Sequence, residues 1–113
     1  MIVNLTPHTV RIVDSQDEII REYASEGTAR VKTDTRVVGE VDGVVIRCTV
    51  LGAVEGLPDP DNGITIYIVS MVVAQAAKDR KDLVAPDTGP TALRYQDGPQ
   101  KGQIIGVRGF TVY

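Results

Sequence analysis

Side-chain branching sets the limits on this chain. It carries 17 Val and 10 Ile against 5 Leu, with 10 Thr besides. β-branched side chains are stiff at χ1, pack well on pleated surfaces and are mildly poor helix formers. A helical bundle is excluded on that ground, and a strand-rich fold is predicted. With 113 residues there is room for one domain spanning residues 1–113, with a modest core. Five aromatic residues (Tyr23, Tyr67, Tyr95, Phe110 and Tyr113) and no Trp leave that core aliphatic and argue against an aromatic base-stacking platform.

Charge and cysteine usage remove further function classes. Fifteen acidic against twelve basic residues give a net charge of −3, which disfavours non-specific binding to nucleic acid or to an anionic membrane. One cysteine, Cys48, and one histidine, His8, cannot build a Cys/His zinc site or an intrachain disulfide. A lone thiol fits a reducing compartment. No signal-peptide pattern opens the chain and no apolar stretch approaches a membrane span. A soluble cytoplasmic protein is the expectation. P-loop, GxGxxG, GxSxG and HExxH patterns are all missing.

Local patterns predict an α+β fold that is mainly antiparallel β, a curved sheet or partly closed barrel, with one helix at about 71–80. Strands are expected over 1–4, 9–13 and 18–23. Asp42-Gly43 is a type I′ turn signal, because that turn needs positive φ at both central positions. A two-residue loop there sets Val41 opposite Val44, Gly39 opposite Ile46, Val37 opposite Cys48 and Thr35 opposite Val50. That register gathers an apolar face on which Cys48 reads as a small buried hydrophobe. The Gly- and Pro-rich stretch 51–63 reads as loop, and Ile64–Val69 as a central strand buried on both faces. Ser70 is a candidate N-cap for the helix. Beyond it, 81–86 reads as extended, 91–95 as a strand, and 103–113 as a last strand in which Gly106 and Gly109 mark a bulge or close backbone approach.

Three constellations carry possible chemistry. Asp59-Pro60-Asp61-Asn62-Gly63 invites a calcium reading, but an EF-hand loop needs Gly sixth and Glu twelfth; here Gly63 is fifth and Ser70 twelfth. It is a turn, and no metal site is expected. The second runs from Ser70 through Arg80, Asp82, Asp87, Thr88 and Thr91 to Arg94. Arginines fork onto phosphate or carboxylate, and a helix start with free N–H groups suits an anion. The bland alternative is a helix cap, a surface ion pair and a turn. The third is Asn4-Leu5-Thr6-Pro7-His8, where His8 is the sole ordinary general base near neutral pH. Thr6 and His8 read as ligand contacts or as a pinned turn; catalysis would pair His8 with Asp82 or Asp87.

Asn4-Leu5-Thr6-Pro7-His8, Tyr67-Ile68-Val69-Ser70 followed by Val73-Ala74, then Arg80, Asp82-Leu83, Pro86-Asp87 and Gly102-Gln103-Ile104-Ile105-Gly106-Val107 resemble a group of small uncharacterised phage, prophage and bacterial proteins. The likeness touches most of the chain, apart from 14–38. It implies a phage or mobile-element setting and no particular chemistry.

The leading expectation is a non-enzymatic, homo-oligomeric binding protein without catalytic residues or cofactor. Its ligand would be an anionic, nucleotide-like small molecule, held as by a sponge for a signal of host antiphage defence. Thr6, His8, Ser70, Arg80, Asp82, Asp87, Thr88, Thr91 and Arg94 would line the site. A protein-interaction or virion-associated module is the first alternative, and a small hydrolase using His8 with an aspartate the second.

Overall fold

The computed structural model describes residues 1–113. The chain forms β1 (Ile2–Asn4), β2 (Val10–Val13), β3 (Ile19–Tyr23), β4 (Arg30–Val41), β5 (Val44–Glu55), β6 (Ile66–Ile68), α1 (Met71–Ala76), β7 (Leu83–Pro86), β8 (Leu93–Arg94), β9 (Ile104–Gly106) and β10 (Phe110–Thr111). The class is α+β, mainly antiparallel β, with a single short helix. The sheets stay open, so the barrel alternative is not realised.

At the centre is a four-stranded sheet in the order β1-β6-β7-β10. β6 is central and Ile68 and Val69 are completely buried, but the strand is shorter than the expected 64–69: it covers Ile66–Ile68, and Ile64 is exposed in the preceding turn. Its pairing departs from expectation. β1, β6 and β7 run parallel, and only β10 is antiparallel to its neighbour. Leu5, Tyr67, Val69, Val73, Ala74, Leu83 and Ala85 form the main core between this sheet and α1. Ala74 and Ala77 are small enough to bring the helix close to the sheet.

The helix is shorter than its pattern predicts. Ser70 caps it, its hydroxyl accepting from the Val73 N–H at 3.4 Å. It ends at Ala76, after which Ala77 leaves helical geometry and Arg80 turns back onto the Ala77 carbonyl. Residues 77–82 are needed to return the chain to the start of β7, which must lie alongside β6 in parallel.

β4 and β5 form a long antiparallel ribbon. The Asp42-Gly43 turn is present, with φ of 52° and 77°. Val41 faces Val44 and Gly39 faces Ile46 as expected. Past Gly39 the register slips: Val38 bulges out, Val37 faces Arg47, Arg36 faces Cys48 and Asp34 faces Val50. One extra residue moves the side chains from Val37 to Thr33 to the other face, until a second irregularity between Val31 and Thr33 restores the first register. The apolar face is thereby broken up by Arg36 and Asp34. The ribbon also runs to Glu55, where a loop was expected from Leu51. Only its base packs on the core, through Val31 and Val54. Cys48 is therefore exposed rather than buried. This projection gives the molecule extents of 49 × 42 × 20 Å and a radius of gyration of 16.7 Å, against about 13 Å for a compact domain of this length.

The closing segment is two strands, not one. β9 pairs with β8, whereas β10 pairs with β7. Between them Val107 bonds to both Arg11 and Val13 of β2. The close approach expected at Gly106 is there: a Cβ would lie 2.8 Å from Val13 Cγ1 and 3.0 Å from the Arg11 carbonyl oxygen.

Candidate functional site

Parallel strands put the residues that follow them at one edge of the sheet. Thr6 to His8 follow β1, Ser70 follows β6, and Asp87-Thr88 follow β7. That edge, outside the carboxyl ends of parallel strands, is where open sheets commonly present a ligand crevice. Here it forms an open cleft of about 650 Å³, closed on its other sides by β2 and by the β8–β9 hairpin loop. Thr6, His8, Ser70 and Thr88 line it, and Arg11, Tyr95, Gln100 and Gln103 join them.

The Thr6–His8 wall is held by Asn4, whose side chain is 0% exposed. Its Nδ2 donates to the carbonyls of His8 (2.7 Å) and Tyr23 (2.8 Å). Its Oδ1 accepts from the Thr6 N–H (2.9 Å) and the Thr6 hydroxyl (2.7 Å). All the bonding capacity of the amide that burial would otherwise strand is satisfied. Ser25 Oγ adds a bond to the Thr6 carbonyl at 2.6 Å. The backbone of this turn is therefore fixed, while the His8 imidazole projects into solvent with no hydrogen-bond partner in the chain.

On the far wall, Arg94 acts as a brace. Its guanidinium donates to the carbonyls of Thr88 (2.8 Å) and Gly102 (2.9 Å), tying the loop after β7 to the β8–β9 loop. Both of those segments present side chains to the cleft, so Arg94 positions the site without lining it. Asp87 is likewise turned inward on its own loop, accepting from the Gly89 N–H at 3.1 Å. Thr91 offers its carbonyl to Arg108, which also reaches Asp14 and Asp17. Asp87, Thr91 and Arg94 thus shape the wall and lie outside the lining.

Arg80 and Asp82 are elsewhere. They precede β7 and so sit at the opposite edge of the sheet, beside Pro60, Asn62 and Gly63. Arg80 holds the buried Asp82 carboxylate bidentately, at 2.9 and 2.7 Å. The guanidinium keeps the Asp82 carboxyl below the usual carboxylate range, and the carboxylate raises Arg80 in turn. Two charges satisfying each other leave little for a ligand. The pair anchors the entrance to β7.

The site's electrostatics follow from what remains. Although the chain has net charge −3, no Asp or Glu lines the cleft, while Arg11 and His8 do. Arg11 is held only loosely, its Nε 3.7 Å from Glu22 on exposed strand surface. No carboxylate bonds to His8, so the His–Asp pairing that a hydrolase would need is not assembled. Arg11, Tyr95, Gln100 and Gln103 escaped sequence reasoning because nothing local marks them. Arg11 looks like any outward residue of an alternating strand, and the other three sit in an ordinary hairpin. No known protein family, curated protein or solved structure matches the chain.

Proposed function

We propose that the chain is a non-enzymatic binding protein whose cleft takes a small anionic molecule of nucleotide-like chemistry. The observation that carries this reading is the cleft's composition: no Asp or Glu is among its lining residues, whereas Arg11 and His8 are, in a chain that is acidic as a whole. Arg11 would exchange its loose contact with Glu22, 3.7 Å from Nε, for a phosphate, with the Ser70 and Thr88 hydroxyls as neutral donors. Tyr95 offers an aromatic face for a base, and the Gln100 and Gln103 amides can meet donor and acceptor edges. Arg80 and Arg94, first candidates for phosphate contacts, have no part in this proposal. The phage resemblance of the sequence motifs favours a role in sequestering a nucleotide-derived signal within a host cell.

The test is thermal melting against cyclic di- and trinucleotides and ADP-ribose derivatives. A ligand at a hundred times its dissociation constant should raise the melting point by about 10 °C. Arg11→Ala and Tyr95→Ala should each weaken that shift, whereas Arg80→Ala should not weaken ligand affinity. If no compound shifts the melt and the denatured protein releases no small molecule, the proposal fails.

A protein-interaction module is the second reading, favoured by one observation: the apolar, uncovered outer part of the β4–β5 ribbon.

A further inference from the structure

The outer ribbon contributes nothing to the cleft, since no lining residue belongs to β4 or β5. Each strand has 12 residues, or about 40 Å of length. Only the base is packed. Beyond it Val37, Val38, Val41, Val44, Val45 and Ile46 are exposed, Val37 by 65% and Val44 by 64%. A two-stranded ribbon is marginal in water by itself, and both its edges present unpaired backbone groups.

We infer that the free edge of β4 pairs with a second copy of the chain, β4 antiparallel to β4 across a two-fold axis at Thr35. The charges on β4 select that occupant and that register. Asp34 and Arg36 lie two apart, on one face of the strand. With the axis at Thr35, each Asp34 stands opposite Arg36 of the other copy, twice over. Moving the axis by one residue sets Asp34 against its own copy, or Arg36 against its own. Like charges directly opposite are destabilising, so both neighbouring registers are disfavoured. β5 has no such code: Arg47 is its sole charge between Val44 and Leu51.

The stretch of β4 between its two irregularities runs from Thr33 to Val37, and Thr35 is its centre, so an axis there pairs the regular part of the strand with itself. Two copies then form a four-stranded ribbon, β5-β4-β4-β5, whose inner edges are paired. This is an isologous contact and closes on itself.

Light scattering on the full chain tests it. The expected mass is twice 12.2 kDa. Asp34→Arg and Arg36→Asp should each weaken the dimer by about a hundredfold or more. Combining the two should restore it, because the opposing pairs return with their signs exchanged. In a Cys48→Ser background, Thr35→Cys should form an interchain disulfide on oxidation, since residues on the axis face each other at disulfide distance. Circular dichroism of each variant checks that it is folded. A wild-type chain of single mass overturns the inference, as does a dimer indifferent to both reversals or a Thr35→Cys chain that does not crosslink. Ligand binding should survive in the dissociated variants, so this test stands or falls apart from the cleft.

Discussion

Replacing Asn4 by alanine should remove about 3–5 kcal/mol of stability, far more than its small volume implies. The side chain is fully buried and makes four hydrogen bonds, two donated to the His8 and Tyr23 carbonyls and two accepted from Thr6. Each bond contributes about 1 kcal/mol net, and a backbone group left without a partner loses a further 1–3 kcal/mol if water cannot reach it. Thr6 and His8 are near solvent and recover part of that loss; the Tyr23 carbonyl, within the fold, recovers less. A domain of this size unfolds with about 2.1 cal/mol/K per residue, so the same change lowers the melting point by about 12–20 °C. Urea denaturation gives the free energy directly, with an unchanged slope as the sign that the unfolding transition is the same one. Asn4→Leu is the sharper variant. It keeps side-chain bulk while removing every hydrogen bond, so it should be at least as unstable as Asn4→Ala. If Asn4→Leu is tolerated within about 1 kcal/mol, packing holds the turn and the hydrogen-bond account is refuted.

Two further expectations are quickly checked. Gly106→Ala forces a methyl to within 2.8 Å of Val13 Cγ1, and overpacking of this kind should cost about 1–3 kcal/mol in a melt; Gly63→Ala, which meets no neighbour but has φ of 81°, should lose less than that. Asp82 titrates below its unfolded value near 4 because Arg80 bonds to its ionised form. Its contribution is therefore complete above pH 4 and is lost as pH falls through the lower folded value. Asp82→Asn should flatten the acid limb of a stability–pH curve, and an unaltered limb would count against the pair.

What could be read from sequence was local. Asp42-Gly43 specifies its turn through φ alone, and the run 64–69 declares a buried strand by composition. The bulge at Val38 adjoins Gly39, and a glycine inside a strand is its one local sign; a register counted back from the turn runs straight through it. The bulge brings Arg36 opposite Cys48, but the cysteine is exposed because the outer ribbon packs on nothing and both of its faces meet solvent. The parallel pairing of β1 with β6 joins residues more than sixty apart, beyond any periodicity signal. That pairing also decided the candidate site. Thr6, His8, Ser70 and Thr88 meet because each follows a parallel strand, whereas Arg80 and Asp82 precede one. Arg94 has the expected chemistry but uses it on two loop carbonyls, a partnership no spacing rule foretells.

The central sheet also dictates an order of events in time. β2–β3 and β4–β5 are closed by short turns and can form as soon as they are made. Before β6 exists β1 has only its bridge from Asn4 to Ser25, and β6 lacks its other neighbour until β7 follows. Bringing such distant segments together requires loop closure before any contact rewards it, which slows folding. During synthesis the first strand must therefore wait through more than sixty residues for its sheet partner, with only the bridge to Ser25 to hold it. Cleft assembly is the last step, because its walls are the segments that only the finished sheet aligns.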